Sequence, residues 1–449
     1  MPTQSEASRL NLEYYKKRAK ALLHRAQAGD AGAIAQMEGK VALHASQRAV
    51  AREQGFASWP RFRAFLEQSR LDFQGLVATF VEAALSDRTR AEELLAAHPS
   101  IAAAGLYPAL VLGEREQVES TVGKLGVSTP GGPRDRAPIL YCCFSRFANP
   151  ASGRADALVE TVRMLLARGA DPNASFLAKE WPDNPFPALY GATGVNNNPT
   201  LGRVLLEAGA KADDSESLYH STEHHGDYAC AKLLLEFGAP ATQALNHMLD
   251  AETTVGVKLL LDAGADVNRV NHRGETALHW AVWRQRSAEV IAAILDHGAA
   301  IDARRPDGLT AYALAVLSGQ ADVAALIASR GGDTTVPPLV RSPEIDRLLP
   351  DMASVHSVEA VQKLLAAGVP IDTRGEHGAT ALHWACWKGY PDLVRLLLAH
   401  GAPLDVKDAS FNADPPGWFD HGRENNGDRR GSDYPAVAEA LRAAGCEVT

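Results

Sequence analysis

Three side chains near the middle of the chain have the types and spacing of a zinc site. His220, Glu223 and His224 form the string His-x-x-Glu-His, and His225 adds a further imidazole. On a single helix, positions i, i+3 and i+4 share one face, so two imidazoles could hold zinc beside a carboxylate base. The string therefore suggests one hypothesis, that the protein is a zinc-dependent hydrolase. The alternative is that helix register alone places these residues and that metal binding here is adventitious.

Two nearly identical hexapeptides contain four of the seven tryptophans of the chain. They are His-Trp-Ala-Val-Trp-Arg at residues 279–284 and His-Trp-Ala-Cys-Trp-Lys at residues 383–388. Within each, the tryptophans stand at positions i and i+3 and share a helix face. The second tryptophan precedes a cation, a composition typical of interface hot spots. We predict that Trp280 and Trp384 pack inside the protein and that Trp283 and Trp387 are exposed; the alternative is that all four rings are core.

Other residue patterns argue against catalysis. Vicinal Cys142 and Cys143 could be redox-active, but between Tyr141 and Phe144 they are expected to pack as small hydrophobic residues. The sequence contains no glycine-rich phosphate loop and no Gly-x-Ser-x-Gly nucleophile elbow. We therefore predict that the protein is not an enzyme and uses no cofactor or structural metal.

Length and composition indicate what kind of molecule must position these residues. The chain has 449 residues, too many for one compact core, so several domains or a solenoid are expected. A hydrophobic content of 46% excludes wholesale disorder, and a formal net charge of -9 argues against nucleic-acid binding along the whole chain. Five cysteines without a disulfide framework favour a reducing compartment. With neither a signal peptide nor an apolar run of about 18 residues, we predict a cytoplasmic protein that does not span a membrane.

Glycine recurs after leucine-rich runs with a period near 33 residues, which indicates a repeat architecture. The recurring glycines are Gly169, Gly209, Gly238, Gly264, Gly298, Gly331, Gly368 and Gly401. Each is predicted to be a left-handed helix C-cap. About 20 residues before several of them, a leucine precedes tyrosine or histidine, as at Leu218 and Leu278. Two short helices fit in that distance, and because neither can bury its apolar face alone, neighbouring pairs must stack.

Two of these units resemble the ankyrin-repeat signature. They read Gly-Glu-Thr-Ala-Leu-His-Trp-Ala at 274–281 and Gly-Ala-Thr-Ala-Leu-His-Trp-Ala at 378–385, with alanine in place of the signature proline. About ten or eleven degenerate units follow one another from about residue 76. The whole chain looks like the multi-ankyrin proteins of bacterial genomes, which carry a short helical N-terminal segment ending much like residues 51–60. The resemblance implies an all-α solenoid of helix-turn-helix repeats with β-turn loops, in which a tyrosine can replace the signature histidine and still bond loop backbone.

The resemblance also implies a function. In ankyrin repeats the end of the first helix faces a concave groove, so that groove should bind a protein partner without catalysis. The residues expected to line it are Trp283, Arg284, Trp387 and Lys388. Ankyrin loops project beside the groove, so Trp181, in a finger with Phe176 and Phe186, is a further candidate.

The N-terminal segment differs from the remainder in charge. Residues 1–70 contain 12 Lys/Arg against 6 Asp/Glu, whereas the remainder contains 33 against 48. The stretch 44–68 predicts a helix, a glycine-containing turn and a second helix, the outline of a helix-turn-helix. One hypothesis is a DNA-associated regulator that contacts nucleic acid only through this segment. The arginines that would make those contacts are Arg48, Arg52, Arg61 and Arg63. The alternative, which we favour because few polar residues could read bases, is a helical pair packed on the first repeat.

The pattern therefore predicts two domains, a helical domain over 1–70 and an ankyrin-repeat solenoid over 71–449. The Gly-Gly and Pro-Pro pairs within 331–344 could bend or split the solenoid. The stretch 422–433 reads as an exposed loop. A last helix from Ala436 to Ala444 is expected to cap the stack.

Overall fold

The computed structural model describes residues 12–68, 73–123, 126–179, 181–224, 226–250, 253–425, 431–446 and 448. The chain divides into two compact units, Met1–Ala210 and Lys211–Thr449. Both are built from short helices, and the first unit also contains a two-stranded hairpin. Within the described part of the chain, no helix is long and apolar enough to cross a membrane.

Four helices at the start of the first unit share a hydrophobic core. They are α1 (Leu12–Gln27), α2 (Ala31–Gln36), α3 (Leu43–Glu53) and α4 (Trp59–Gln68). Tyr15, Phe62 and Leu66 are buried in this core. The predicted helix-turn-helix outline is observed as α3 and α4, and Gly55 in their connection has a φ of 84°. The expected domain boundary at residue 70 lies outside the described residues and stays a prediction.

The rest of the first unit consists of helix pairs and the hairpin. Its elements are α5 (Phe73–Ser86), α6 (Arg88–Ala97), α7 (Leu106–Leu112), α8 (Arg115–Val122), α9 (Pro138–Phe144), α10 (Ala155–Ala167), β1 (Ser175–Ala178), β2 (Trp181–Pro187), α11 (Ala188–Tyr190) and α12 (Pro199–Glu207). The first helices stack as α5 on α7 on α9, and the second helices as α8 on α10 on α12. Strands β1 and β2 are antiparallel, with Phe176 opposite Phe186.

The second unit repeats this arrangement. Its helices are α13 (Ser217–Ser221), α14 (Ala229–Glu236), α15 (Ala241–Asp250), α16 (Thr254–Asp262), α17 (Ala277–Trp283), α18 (Ala288–Asp296), α19 (Ala311–Leu317), α20 (Ala321–Ser329), α21 (Pro343–Asp346), α22 (Leu348–Ser354), α23 (Val358–Ala366), α24 (Ala381–Lys388), α25 (Pro391–Ala399), α26 (Pro415–Asn425) and α27 (Tyr434–Ala443). The first helices stack as α13 on α15 on α17 on α19, and again as α22 on α24 on α26. The second helices stack as α16 on α18 on α20, and α25 on α27. Each short helix therefore buries its apolar face against the next pair.

Local sequence signals define where these helices begin and end. All eight recurring glycines have a positive φ, between 81° and 97°, so the predicted left-handed caps are confirmed. Helix α17 begins with a capping box in which Thr276 and His279 bond each other's backbone, and α24 begins in the same way. Where tyrosine replaces the histidine, the Tyr141 hydroxyl donates to the Gly131 carbonyl at 2.7 Å. At this position the phenol hydrogen-bonds loop backbone, as the resemblance implied that it could.

The packing of helices changes around the irregular segment 331–342. Here α19 packs against α23, the second helix of a following pair. The Lys363 ammonium group donates to the Val316 carbonyl at 2.9 Å, which joins the two helices. A bend of the stack at 331–344 stays a prediction.

One prediction about the C-terminal stretch is wrong over residues 422–425. Residues 422–433 were expected to form an exposed loop, but α26 continues to Asn425 and Gly422 is buried within it. Pro415 at the start of α26 suits the first turn of a helix, where no backbone N–H is needed. Residues 426–430 lie outside the described residues. The expected last helix is observed as α27.

Candidate functional site

The C-terminal ends of the first helices in the second unit carry a row of polar and aromatic side chains. We call this row the first-helix strip, and its members are Tyr219, His220, His247, Asp250, Trp280, Arg284, Asp351, Trp387 and Lys388. Side chains of the strip join α13 to α15 and α15 to α17, so this part of the strip is held together before any partner arrives.

The strip begins with two histidines that share a carboxylate. Glu223 lies 3.1 Å from Nδ1 of His220 and 3.3 Å from Nε2 of His247. The Tyr219 ring stacks on His247 with 3.8 Å between ring centres. Burial lowers the pKa of His247, against the opposing effect of Glu223, so this ring is neutral near pH 7.

Asp250 connects the next two helices. Its Oδ1 accepts the indole N–H of Trp280 at 2.9 Å and lies 2.7 Å from Nε of Arg284. The Arg284 guanidinium also lies 5.0 Å from the centre of the Trp280 ring, within the range of a cation–π contact. Trp280 was predicted to be core, but it is only half-buried. This tryptophan and its cation are therefore fixed at the surface of the strip.

Trp283, in contrast, is buried. Only 3% of the residue is exposed, so the prediction that it would be exposed is wrong. The guanidinium groups of Arg273 and Arg284 lie over its ring at 4.9 and 4.2 Å. Its indole N–H points to the Asp351 carbonyl at 3.4 Å, a long hydrogen bond to a residue of α22. The helix register correctly placed this ring beside Trp280, but α22 covers it.

A buried charge pair completes this covering. Arg273 and the side chain of Asp351 form an ion pair in which the side chains are 12% and 8% exposed. Burial raises the pKa of Asp351, against the opposing effect of Arg273. Arg305 lies nearby and pairs with Glu275 at 2.6 Å. Because buried charges need partners, Arg273 and Asp351 hold each other in place beside Trp283, and that ring is covered.

The second copy of the hexapeptide is arranged differently. The rings of Trp384 and Trp387 are half-buried, with 5.5 Å between ring centres and 63° between ring planes. Trp418 of α26 completes the group at 5.2 Å from Trp384 and 6.0 Å from Trp387. The Lys388 ammonium lies 4.4 Å from the centre of the Trp387 ring. Where α22 covers Trp283, α26 instead stands beside Trp387 and leaves an opening.

That opening is a cavity of about 300 Å³, which we call the aromatic pocket. Its lining residues are His377, Trp384, Trp387, Phe411, Ala413, Gly417, Trp418 and His421. Phe411 stands at the rim and is 66% exposed. A cavity of this size is at the small end of ligand-binding pockets and fits one side chain or one small molecule.

Two features hold Trp418 in place. A Cβ at Gly422 would collide with the Trp387 carbonyl, so glycine is what allows α26 to lie directly on α24. Asp408 accepts the indole N–H of Trp418 at 3.0 Å. Although burial alone would raise it, hydrogen bonds from Trp418 and the backbone of Phe411 lower the pKa of Asp408 to about 2. Sequence reasoning missed Trp418, and proline at the first turn of its helix was the available signal.

The remaining groove candidate is at the hairpin of the first unit. Trp181 is 62% exposed, and neighbouring Leu177 is also exposed. Phe176 of the same hairpin packs against Phe144, and the Arg136 guanidinium lies 3.2 Å from the centre of the Phe176 ring. The finger is therefore anchored through Phe176 and presents Trp181 to solvent.

The zinc hypothesis fails on helix length. Helix α13 ends at Ser221, so Glu223 and His224 do not continue the face on which His220 lies. Both ring nitrogens of His220 face carboxylates, Glu216 at 3.2 Å and Glu223 at 3.1 Å. His225 lies outside the described residues. Across the described ranges, no group of three or more His, Cys, Asp or Glu side chains is arranged to hold a metal ion.

The adjacent cysteines are packed as expected. Cys142 and Cys143 are fully buried in α9, and burial raises the pKa of both thiols. Because the thiolate is the reactive form, these residues are chemically inert in the folded chain.

The basic side chains of the N-terminal helices are partly neutralised. Arg52 forms an ion pair with Glu38, and Arg18 pairs with Glu53 at 2.7 Å. Arg61 and Arg63 are exposed on α4, whereas Arg48 is half-buried. Two of the four arginines proposed to contact DNA are thus exposed on the second helix of the pair, on either side of buried Phe62.

Comparison with known families identifies the repeat. Residues 247–337 match the family model for ankyrin repeats in three copies, and residues 377–409 match a further ankyrin repeat. The chain therefore contains ankyrin repeats, and the predicted all-α ankyrin fold class is confirmed. Ankyrin repeats are in general protein–protein interaction modules in non-catalytic scaffolds.

Curated relatives share part of the chain. It is 32% identical over 157 residues to the B-cell lymphoma 3 protein homolog of Mus musculus, a match that covers 34% of each chain. It is 28% identical over 263 residues to the Ankyrin repeat and SOCS box protein 16 of Homo sapiens, covering 56% of this chain and 51% of that protein. The chain thus spans about a third to a half of the length of these relatives. Among solved structures, an ankyrin repeat domain from Acinetobacter baumannii matches 44% of this chain and 98% of its own, with 22% identity and a TM-score of 0.36.

Proposed function

We propose that residues 211–449 bind a protein partner along the first-helix strip and catalyse no reaction. The observation that carries this proposal is the end of α24, where Trp387 and Lys388 stand beside an open aromatic pocket. Tryptophan, tyrosine and arginine side chains seated in pockets carry much of the binding energy of many interfaces.

The structure changes which residues carry the proposal. Trp283 is excluded as a contact residue because it is buried under Arg273 and α22. Trp280 takes its place, since its ring is half-buried and is held by Asp250 beside Arg284. The proposed contact residues are therefore Trp280, Arg284, Trp387 and Lys388. Trp181 of the hairpin is a separate proposed contact in the first unit.

The proposal is tested with a partner isolated by photo-crosslinking from position 388 and then purified. Its dissociation constant is measured by calorimetry for the wild-type chain and for Trp280→Ala and Lys388→Glu. Loss of a hot-spot contact costs about 2 kcal/mol, so each variant should bind at least about tenfold more weakly. The control is Arg395→Glu on the second helix α25, where an exposed charge is changed in the same sense. A partner bound equally well by all four chains would refute the proposal.

DNA contact through residues 1–70 is a second candidate, supported by the observed α3–α4 pair and by exposed Arg61 and Arg63. Anisotropy of a labelled duplex with the full chain at 50 and 200 mM salt tests it. Binding through phosphates should weaken steeply with salt and should be lost in Arg61→Ala/Arg63→Ala. Affinity unchanged by the double substitution would exclude this candidate. The bacterial origin and the cytoplasmic location stay predictions.

A further inference from the structure

The planes of the three tryptophan rings in the aromatic pocket are steeply inclined to one another. Their planes make angles of 63°, 77° and 81° with one another. Their ring centres lie 5.2 to 6.0 Å apart. All three rings line the aromatic pocket, so a small cation seated there lies within about 6 Å of ring centres, the range of a cation–π contact. Phe411 adds a fourth aromatic side chain at the rim.

The rings of this pocket attract cations, and the Lys388 ammonium group already lies 4.4 Å from the centre of the Trp387 ring. The face of an aromatic ring is negative, so aromatic rings that line one small pocket attract positive charge through their faces. Asp408, which stays ionised because of its low pKa, accepts the N–H of Trp418 and so increases the electron density of that ring. The net negative charge of the chain acts in the same direction.

The polarity of the lining distinguishes between kinds of cation. Among the described residues that line the pocket there is no aspartate or glutamate. An unmodified ammonium group has three N–H donors and would lose its hydrogen bonds to water on entering. A methylated ammonium group has few donors or none and an apolar surface, so its desolvation costs less while its charge is kept.

We propose that the aromatic pocket binds a methylated ammonium group. Trp384, Trp387 and Trp418 contact its methyl groups, and Phe411 covers it from the rim. This inference goes beyond the proposed function, because such a group could be part of a free small molecule or of a methylated lysine on a partner. Both sources present the same chemistry to the pocket, and the experiment has a separate arm for each.

The first arm is calorimetric titration of the full chain with choline and with 3,3-dimethylbutan-1-ol, in which carbon replaces the charged nitrogen. If the charge is what the rings recognise, choline should bind at least about tenfold more tightly than its neutral isostere. Phe411→Ala should weaken choline binding, whereas Phe237→Ala, which removes a phenylalanine from the end of α14 in the same unit, should leave it unchanged. Equal affinity for the two probes, or no binding of choline, would overturn the proposal.

The second arm uses a short peptide with trimethyllysine and the same peptide with unmodified lysine. Tighter binding of the trimethyllysine peptide than of choline indicates that the group is carried by a partner, and the reverse order indicates a free molecule. Either order supports the pocket assignment, whereas equal binding of the two peptides contradicts it. If choline fails to bind while Lys388→Glu still weakens a protein partner, this inference is wrong and the proposed function stands.

Discussion

Replacing each tryptophan of α17 by alanine should have very different effects on stability. Trp283 is 3% exposed, and removing a fully buried tryptophan costs about 3–5 kcal/mol in lost burial and in the cavity that remains. Trp280 is half-buried, so its truncation should cost about 1–2 kcal/mol. If either ring were a pure interface contact, its removal would cost folding little.

Native-state hydrogen exchange is the suitable assay, because stacked repeats open locally and a single melting temperature would average over them. A loss of about 3 kcal/mol corresponds to exchange more than about 100-fold faster at the amides of α17. The effect of Trp283→Ala should extend to α22, because the indole N–H points to the Asp351 carbonyl. Trp181→Ala, which changes an exposed ring of the hairpin, is the matched control and should change protection little.

Two outcomes would contradict this reasoning. If Trp283→Ala speeds exchange by less than tenfold, the ring is not the core residue that the structure shows. If Trp280→Ala is the more disruptive of the two, the assignment of surface and core on α17 is reversed. In that case Trp280 would also have to be withdrawn from the proposed contact residues.

Four further outcomes are expected. Burial and the positive charge of Arg305 lower the pKa of His279 to about 4 in the folded chain. In the unfolded chain its pKa is about 6.5, so as the pH falls the unfolded chain is protonated before the folded chain. The free energy of unfolding in urea should therefore fall by up to about 3 kcal/mol between pH 6.5 and 4, and His279→Gln should remove that part of the pH dependence. Arg273→Met leaves Asp351 buried without its ion-pair partner and should cost about 3–5 kcal/mol in the same assay, whereas a cost below 1 kcal/mol would mean that the pair is solvated. Gly422→Ala should displace α26 from α24 and change the tryptophan fluorescence of the aromatic pocket, and an unchanged spectrum would argue against the close approach. A chelator should leave the melting curve unchanged, because loss of a structural zinc would remove on the order of 10 kcal/mol.

The features that sequence predicted well are those that a single repeat determines. A left-handed cap needs glycine at one position, and each of the eight recurring glycines follows the second helix of a pair. The hydrogen bond from Tyr141 to loop backbone was also predictable, since the phenol only has to reach a carbonyl a short distance away in sequence. Such interactions are local, so the residue types alone indicate them.

The features that sequence did not predict depend on segments that are far apart. Asp351 lies 68 residues after Trp283, and nothing in the hexapeptide indicates that it will close over the ring. Trp418 enters the aromatic pocket from a helix that was interpreted in part as an exposed loop, because glycine, asparagine and aspartate usually signal turns. Gly422 is one of these turn-typical residues, yet its role is to let α26 lie directly on α24.

The two copies of the hexapeptide show why a repeated sequence need not give a repeated site. In each, helix register places the second tryptophan beside the first and next to a cation. The role of that second tryptophan is then decided by the helix that packs next to it. Helix α22 brings a carboxylate that pairs with Arg273 and closes over Trp283, whereas α26 brings a third indole and no acid among the residues lining the pocket. A search for binding sites in such repeats should therefore start from the neighbour of each motif, because the neighbour determines whether an aromatic ring becomes core or forms the wall of a pocket.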